Sequence, residues 1–547
     1  MIRGESICIN VNQLPEPQRC HYVLNTNDCT SNMNLVNYLD WHYCHLDTRN
    51  KFNTFWSVLF MAILLIYIFW MMQLAIIHHF CPLLKSIADA LRLNESTAGV
   101  TVLAIANGSP DLFTTIAAGL PISSNSFLSC AAVTMFLHIF VAGLVMLTNP
   151  FYVEANYFIR DFGFLFVNTA YMDYLHKRRE GIGLEHTIPA ALIFIFYVAT
   201  AVVDQQLLKS QVKALERKRS SFYDDYDDYD NELLENLMPQ TQLPIRRHTV
   251  IRHSHTSGHR NKHLFLQFWR SIFLFNFARY REATFLVRAY LILKEPIEMA
   301  LRLLIPVVDV EQPLHGWSKL LYVIQINLVP TYCSYILGEA VRVQMMPKIN
   351  LPICFVVWVA VFPLSVIVFF CTRTDTRPKI FRFTSIFAFL GSILIIFILT
   401  SELYAMFFTL STIMQMSHQF STATVICWAV QSRSLVTNLN LAHQGWPRMA
   451  FTATFSSPVF TTFAFLALPL LFQTIKAYPD KYQPSEGSYG ETACIFLEVG
   501  MFFSLISAMT TNFKMRRACG FLLVTYYLFY VGVLILLETQ CIHPYGV

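Results

Sequence analysis

The chain has 547 residues, of which 55% are hydrophobic, 15% aromatic and 14% charged, with a formal net charge of +5. That balance is too apolar and too poor in charge for an ordinary soluble enzyme, and it argues against a nucleic-acid partner. It is the composition of a polytopic membrane protein whose first partner is the lipid bilayer.

In chain order, residues 1–53 form a polar segment holding four of the thirteen cysteines, Cys8, Cys20, Cys29 and Cys44. An even number clustered in a short polar stretch suits an oxidising, non-cytosolic compartment, and the spacing is not that of a zinc site. Two disulfides are expected, their pairing left open. "MIRGESICIN" (Met1 to Asn10) lacks the apolar core of a signal peptide. The first helix is therefore expected to export its own N-terminus, unless the start lies upstream.

A helix needs about 20 mostly apolar residues to cross the hydrocarbon core. About twelve such runs follow, near 54–77, 97–119, 127–148, 158–175, 187–208, 319–338, 351–371, 384–405, 420–441, 450–473, 493–513 and 518–538. The predicted fold is all-α. Domains are expected at 54–208 (first membrane domain), 209–318 (hydrophilic loop), 319–383 (two connecting helices) and 384–540 (second membrane domain). Within the loop, "YDDYDDYDNE" (Tyr223 to Glu232) is followed by His248, His253, His255, His259 and His263. The acidic run lacks the glycine turn and terminal glutamate of a calcium loop, so a solvated tract is the expectation. Leu264 to Pro306 is amphipathic enough to lie along a membrane surface. Asp161, beside Arg160, and Asp204 are expected as helix-end charges, and Glu402 and Glu498 as polar lining or helix–helix hydrogen bonding.

The two membrane domains look related. Shifting the sequence by 323 positions lays "TVLAIANGSPDLFTT" (Thr101 to Thr115) on "TVICWAVQSRSLVTN" (Thr424 to Asn438), with six of fifteen positions identical. Counting crossings, five helices, a loop, two extra helices and five more make the repeats opposite in direction. Such inverted repeats are typical of secondary transporters, with the substrate site at the midplane between them. Within the first repeat, Asn107, Asp111 and Thr115 share a helix face, and Pro110 frees a backbone carbonyl. A carboxylate at membrane depth costs roughly 2.5–3.5 kcal/mol on the insertion scale, so it is expected to face protein, water or an ion. Carboxylate, amide, hydroxyl and carbonyl oxygens suit a hard cation.

At these residues the chain resembles the sodium/calcium exchanger superfamily, whose first alpha-repeat "GVTVLAIANGSPDLF" (Gly99 to Phe113) matches, and within it the mitochondrial-type branch. "YLDWHYCHL" (Tyr38 to Leu46), "LKEPIEMALRLLIPVVD" (Leu293 to Asp309) and "AHQGWPRMAF" (Ala442 to Phe451) carry the same likeness. The resemblance implies an antiporter moving calcium against sodium or another monovalent cation by alternating access, not an enzyme, with no cofactor. It implies alpha-repeats near 97–148 and 420–473, and a mitochondrial inner, plasma or endomembrane location. First-repeat cation ligands are then Asn107, Asp111, Ser109 and Thr115. Second-repeat candidates are Ser434, Asn438 and Thr461, where the family has Asp, Asp and Asn. The family's small residues are replaced by Ala429 and Arg433, its Asn by Val430, and a first-repeat G-A-G by Ala132, Val133 and Thr134.

Arg433 stays protonated in any plausible pocket. Two placements are open: pointing inward it pairs with Asp111 and fills the cation site, while one position off the ligand face it snorkels away. The first implies a transport-impaired relative with an interaction role; the second leaves a weaker oxygen site. An intramembrane aspartyl protease would need two facing aspartates, and Asp111 has no such partner in the second repeat.

Overall fold

A computed structural model describes residues 8–26, 29, 35–46, 51–117, 125–178, 181–222, 263–273, 277–306, 317–340, 352–374, 381–477, 481–482 and 488–541. The membrane helices, in chain order, are α1 (Phe52–Ala90), α2 (Glu95–Ala98 through Gly99–Leu103 to Ala104–Ala117), α3 (Ser126–Thr148), α4 (Ala155–His176) and α5 (Leu184–Phe222). Three loop helices follow, α6 (Leu264–Ile272), a short turn of helix at Phe277–Glu282 and α7 (Phe285–Leu304), then α8 (Lys319–Ala340) and α9 (Ile353–Cys371). The second half holds α10 (Phe381–Ile413), α11 (His418–Ser421 through Thr422–Ile426 to Cys427–His443), α12 (Pro447–Thr462 through Phe463–Ala467 to Leu468–Ala477), α13 (Ser488–Thr510) and α14 (Arg517–Glu538).

Each of the twelve expected runs falls on a helix, but among the described residues nine are both long and apolar enough to cross a membrane unaided. The other three are α2, α4 and α11. Asn107 and Asp111, Arg160 and Asp161, and Gln431, Arg433 and Asn438 depress their hydropathy. These side chains are tolerated because they face protein rather than lipid. In contrast, only 11% of the apolar window of α9 is buried, so that helix is peripheral. It pairs with α8, where Asn327 donates to Ser365 Oγ at 2.7 Å.

The cysteines of the N-terminal segment pair as Cys8–Cys29 and Cys20–Cys44. The stapled segment docks on α10, burying Val11, Val23 and Leu39 against Phe408. Glu402 is the polar anchor: it accepts from Tyr38 Oη at 2.7 Å and from the Leu35 amide. Its role is thus to hold this segment.

Asp161 and Asp204 are not helix-end charges. α5 runs on to Phe222, past the expected boundary at residue 208, which leaves Asp204 well inside the helix. Arg160 of α4 binds Asp161 at 2.7 Å and Asp204 at 2.9 Å, and reaches Ser96 at the start of α2 at 3.4 Å. The cluster therefore fastens α2 to α4 and α5. In the loop, α7 lays Ile297 and Leu301 against Leu74 and Ala75 of α1, while Phe285, Ile292 and Leu293 stay exposed. Glu298 on its docked side binds Lys294 at 2.9 Å and Arg302 at 2.7 Å. The acidic run and four of the five loop histidines lie outside the described residues.

The 323-residue register recurs in the backbone itself. Asn94 caps α2 by accepting from the Thr97 amide, and Ser417 caps α11 by accepting from the Phe420 amide. Each cap is followed by a single π-helical turn, Gly99–Leu103 in one and Thr422–Ile426 in the other. Side chains match as well: Thr101 bonds Thr97 O at 2.6 Å and Thr424 bonds Phe420 O at 2.7 Å.

Candidate cation site

The site forms where α2, α11 and α12 meet. Pro110 has no N–H to give to the carbonyl four residues back, and Ser109 Oγ covers that carbonyl, Ala106 O, at 3.1 Å. The corresponding Ser432 Oγ covers Ala429 O at 2.7 Å. Close approach of α2 to α12 depends on glycine: a Cβ at Gly108 would collide with the Phe460 ring, and one at Gly99 would lie 2.7 Å from Met449 O. With no side chain at either point, the polar face of α2 is pressed onto the second half of the molecule.

Asp111 lies at the centre, its side chain 2% exposed. One carboxylate oxygen accepts from Thr461 Oγ1 at 3.2 Å, and the other accepts from the guanidinium of Arg433. Of the two placements open to Arg433, the structure has the inward one. Its side chain is also only 2% exposed, its Nε donates to Asn107 O at 3.0 Å, and a further N–H goes to Val430 O. The guanidinium thus bridges the two halves, tied to α2 through Asn107 and Asp111 and to its own helix through Val430.

The remaining predicted residues divide. Asn107 is buried and its amide reaches Ser457 Oγ of α12 at 3.5 Å. Asn438 is fully buried, and neither its oxygen nor its nitrogen has a hydrogen-bond partner among the described residues. Ser434 donates to Gln431 Oε1 at 3.0 Å. Ser109 and Thr115 spend their hydroxyls on their own helix, Thr115 on Asp111 O at 2.9 Å. That back-bonding is the usual fate of Ser and Thr inside helices. Ser457 and Gln431 were not anticipated; a polar "SSP" (Ser456 to Pro458) inside an apolar run was the available signal for the former. Among the described residues no group of three or more His, Cys, Asp or Glu gathers at one point. A cation here would depend on Asp111 and neutral oxygens.

A bundle of apolar helices enclosing a carboxylate between two repeated helices defines a multi-pass membrane transporter rather than an enzyme. The family model "Sodium/calcium exchanger protein" matches residues 59–203 and 384–536, covering α2 to α4 and α11 to α13 whole. The chain belongs to the sodium/calcium exchanger family.

It is 24% identical to the mitochondrial sodium/calcium exchanger protein of Homo sapiens, over 98% of this chain and 90% of that one. It is 26% identical to the Mus musculus protein of the same name, with the same coverage. Cation/calcium exchanger 5 of Arabidopsis thaliana is 24% identical over 93% of this chain and 87% of its own. The solved sodium-calcium exchanger NCX_Mj aligns with 87% of this chain and 98% of its own at 11% identity and a TM-score of 0.36, a superposition too loose to place individual helices.

Proposed function

We propose that the chain is an alternating-access antiporter that exchanges calcium for sodium or another monovalent cation across the mitochondrial inner membrane. The observation that carries this reading is Asp111, a carboxylate buried at the junction of the two family-matched segments and bonded by Thr461 Oγ1, with Asn107 one turn before it on the same helix and bonded to Ser457. The names of the relatives supply the ions and the compartment. Carboxylate, amide and hydroxyl oxygens are the donors a hard cation takes.

Arg433 sets the terms of exchange. A cation reaching Asp111 must displace the guanidinium, so binding competes with an internal ion pair. Apparent affinity falls by the fraction of time the carboxylate is free. The site residues assigned are Asn107, Asp111, Thr461 and Asn438, with Ser457 added. Ser109, Ser434 and Thr115 shape the helices around them.

Calcium uptake into proteoliposomes against an imposed sodium gradient tests the reading. The wild type takes up calcium and Asp111→Asn does not. Equal uptake by both would refute the assignment of Asp111.

A further inference from the structure

Strict exchange requires more than a cation site. It requires that the carrier fail to reorient when the site holds no cargo, because otherwise each ion can return alone and the two fluxes uncouple. An unpaired carboxylate supplies that block: without a cation it is a buried, uncompensated charge, and the state in which it crosses between entrances is scarcely populated.

In this chain the block is absent. Both oxygens of Asp111 are bonded by the protein itself, one by the guanidinium of Arg433 and the other by Thr461 Oγ1 at 3.2 Å. Arg433 is tethered to α11 and also grips Asn107 O of α2 at 3.0 Å, so the compensating charge travels with the site. The pair is sealed, each side chain 2% exposed. The Asp111 carboxylate of the cargo-free site is therefore charge-compensated and bonded at both oxygens.

We propose that Arg433 serves as a built-in substitute cation that occupies Asp111 whenever cargo is absent and lets the cargo-free carrier reorient, so the protein also moves a cation down its own gradient with no counter-cation. This rests on the antiport reading of the same site, but it assigns an additional activity, uncoupled transport, and gives Arg433 its role. Cargo binding displaces the guanidinium from Asp111; cargo release lets it return. No bond is made or broken beyond these ion pairs.

The full chain is reconstituted into liposomes loaded with radiolabelled calcium and made permeable to protons, so that charge is compensated. Release is measured into sodium medium and into medium whose only cation is N-methyl-D-glucamine. The wild type is expected to release calcium into both. In Arg433→Gly the ratio of release into N-methyl-D-glucamine to the variant's own release into sodium falls ~100-fold, the factor that an unpaired buried carboxylate imposes on the reorienting state. Arg433→Lys, which keeps a charge at the same place, retains part of the uncoupled release and shows that a fold defect is not the cause. Wild-type release that strictly requires sodium overturns the inference while leaving antiport standing, as does uncoupled release undiminished in Arg433→Gly. Wild-type silence in both media overturns the antiport reading and this inference with it.

Discussion

Removing either partner of the Asp111–Arg433 pair leaves a buried charge alone, which costs about 3–5 kcal/mol in general. The structure ranks the two losses. In Asp111→Asn, Arg433 keeps its bonds to Asn107 O and Val430 O and sits among carbonyl dipoles, so the cost belongs near the lower figure. In Arg433→Gln, Asp111 loses its charged partner and is left with neutral donors such as the Thr461 hydroxyl, and the cost belongs near the upper one. The double variant removes both charges and leaves two amides of similar reach, a change expected to cost ~1 kcal/mol or less. The coupling energy is therefore several kcal/mol, far outside the ~0.3–0.5 kcal/mol scatter of independent sites. Thermal melting of the four purified proteins in one detergent gives the cycle: Arg433→Gln melts lowest, Asp111→Asn next, and the double variant close to wild type. Calcium at a hundredfold excess over its dissociation constant should stabilise Arg433→Gln by about 2.7 kcal/mol, and at equal calcium should raise its melting point more than that of the wild type. Additive single effects, with the double variant melting lowest, would refute the pairing and every inference drawn from it.

Gly108→Val places a side chain where the Phe460 ring already lies; overpacking of about 1–3 kcal/mol should lower the melting point, with partial recovery in combination with Phe460→Ala. Glu402→Ala strands the Tyr38 hydroxyl and the Leu35 amide, so limited proteolysis should release the N-terminal segment while the membrane helices stay intact, at a docking cost of about 1–3 kcal/mol. His42 in that segment is 2% exposed and bonds Ser57 Oγ through Nδ1 at 2.8 Å. Burial first, and then the charge of Arg19, push it from 6.5 down to about 4. Between those pH values the undocked segment binds a proton that the docked one refuses, so docking is fully stable above pH 6.5 and loses ~3 kcal/mol as pH falls to 4. Amide hydrogen exchange around Trp41 to His45 at pH 7.5 and pH 5 measures this, and unchanged protection would show that His42 is not the controlling group.

The helices and the first half of the site were legible because the signals are local. Hydropathy marks a span, and the four-residue spacing of Asn107 and Asp111 puts both on one face whatever surrounds them. The segments at 158–175 and 319–338 read as the weakest spans because of their polar groups; α8 proves apolar enough to cross, while α2, α4 and α11, which carry their polar groups inward, fall short. The disulfide partners were beyond reach, because four cysteines allow three pairings and only the fold chooses. Asp161 and Asp204 were misplaced for a similar reason: Arg160 satisfies both within the bundle, a contact between α4 and α5 that no periodicity announces. For Arg433 the sequence could state two directions but not select one, since the choice depends on where Asn107 O lies across the interface. Ser109 and Thr115 looked like ligands by residue type. Their hydroxyls proved to be committed to carbonyls within one turn, and a hydroxyl already donating in that way has less to offer an ion.

The π-helical turns at Gly99–Leu103 and Thr422–Ile426 have a further consequence. Such a turn holds one residue more than the α-helix around it, and so behaves as a dislocation in an otherwise regular lattice. Shifting it along the chain leaves both ends of the helix in phase and rotates only the residues it passes, by ~100° about the axis, the angle of a single residue, while breaking few hydrogen bonds at a time. In α2 and α11 the defect lies between the cap and the polar side chains, at matching positions of both copies. A defect that passed Asp111 in α2 or Arg433 in α11 would swing that side chain around its helix while both helix ends stayed fixed, and the two copies carry the defect at equivalent places.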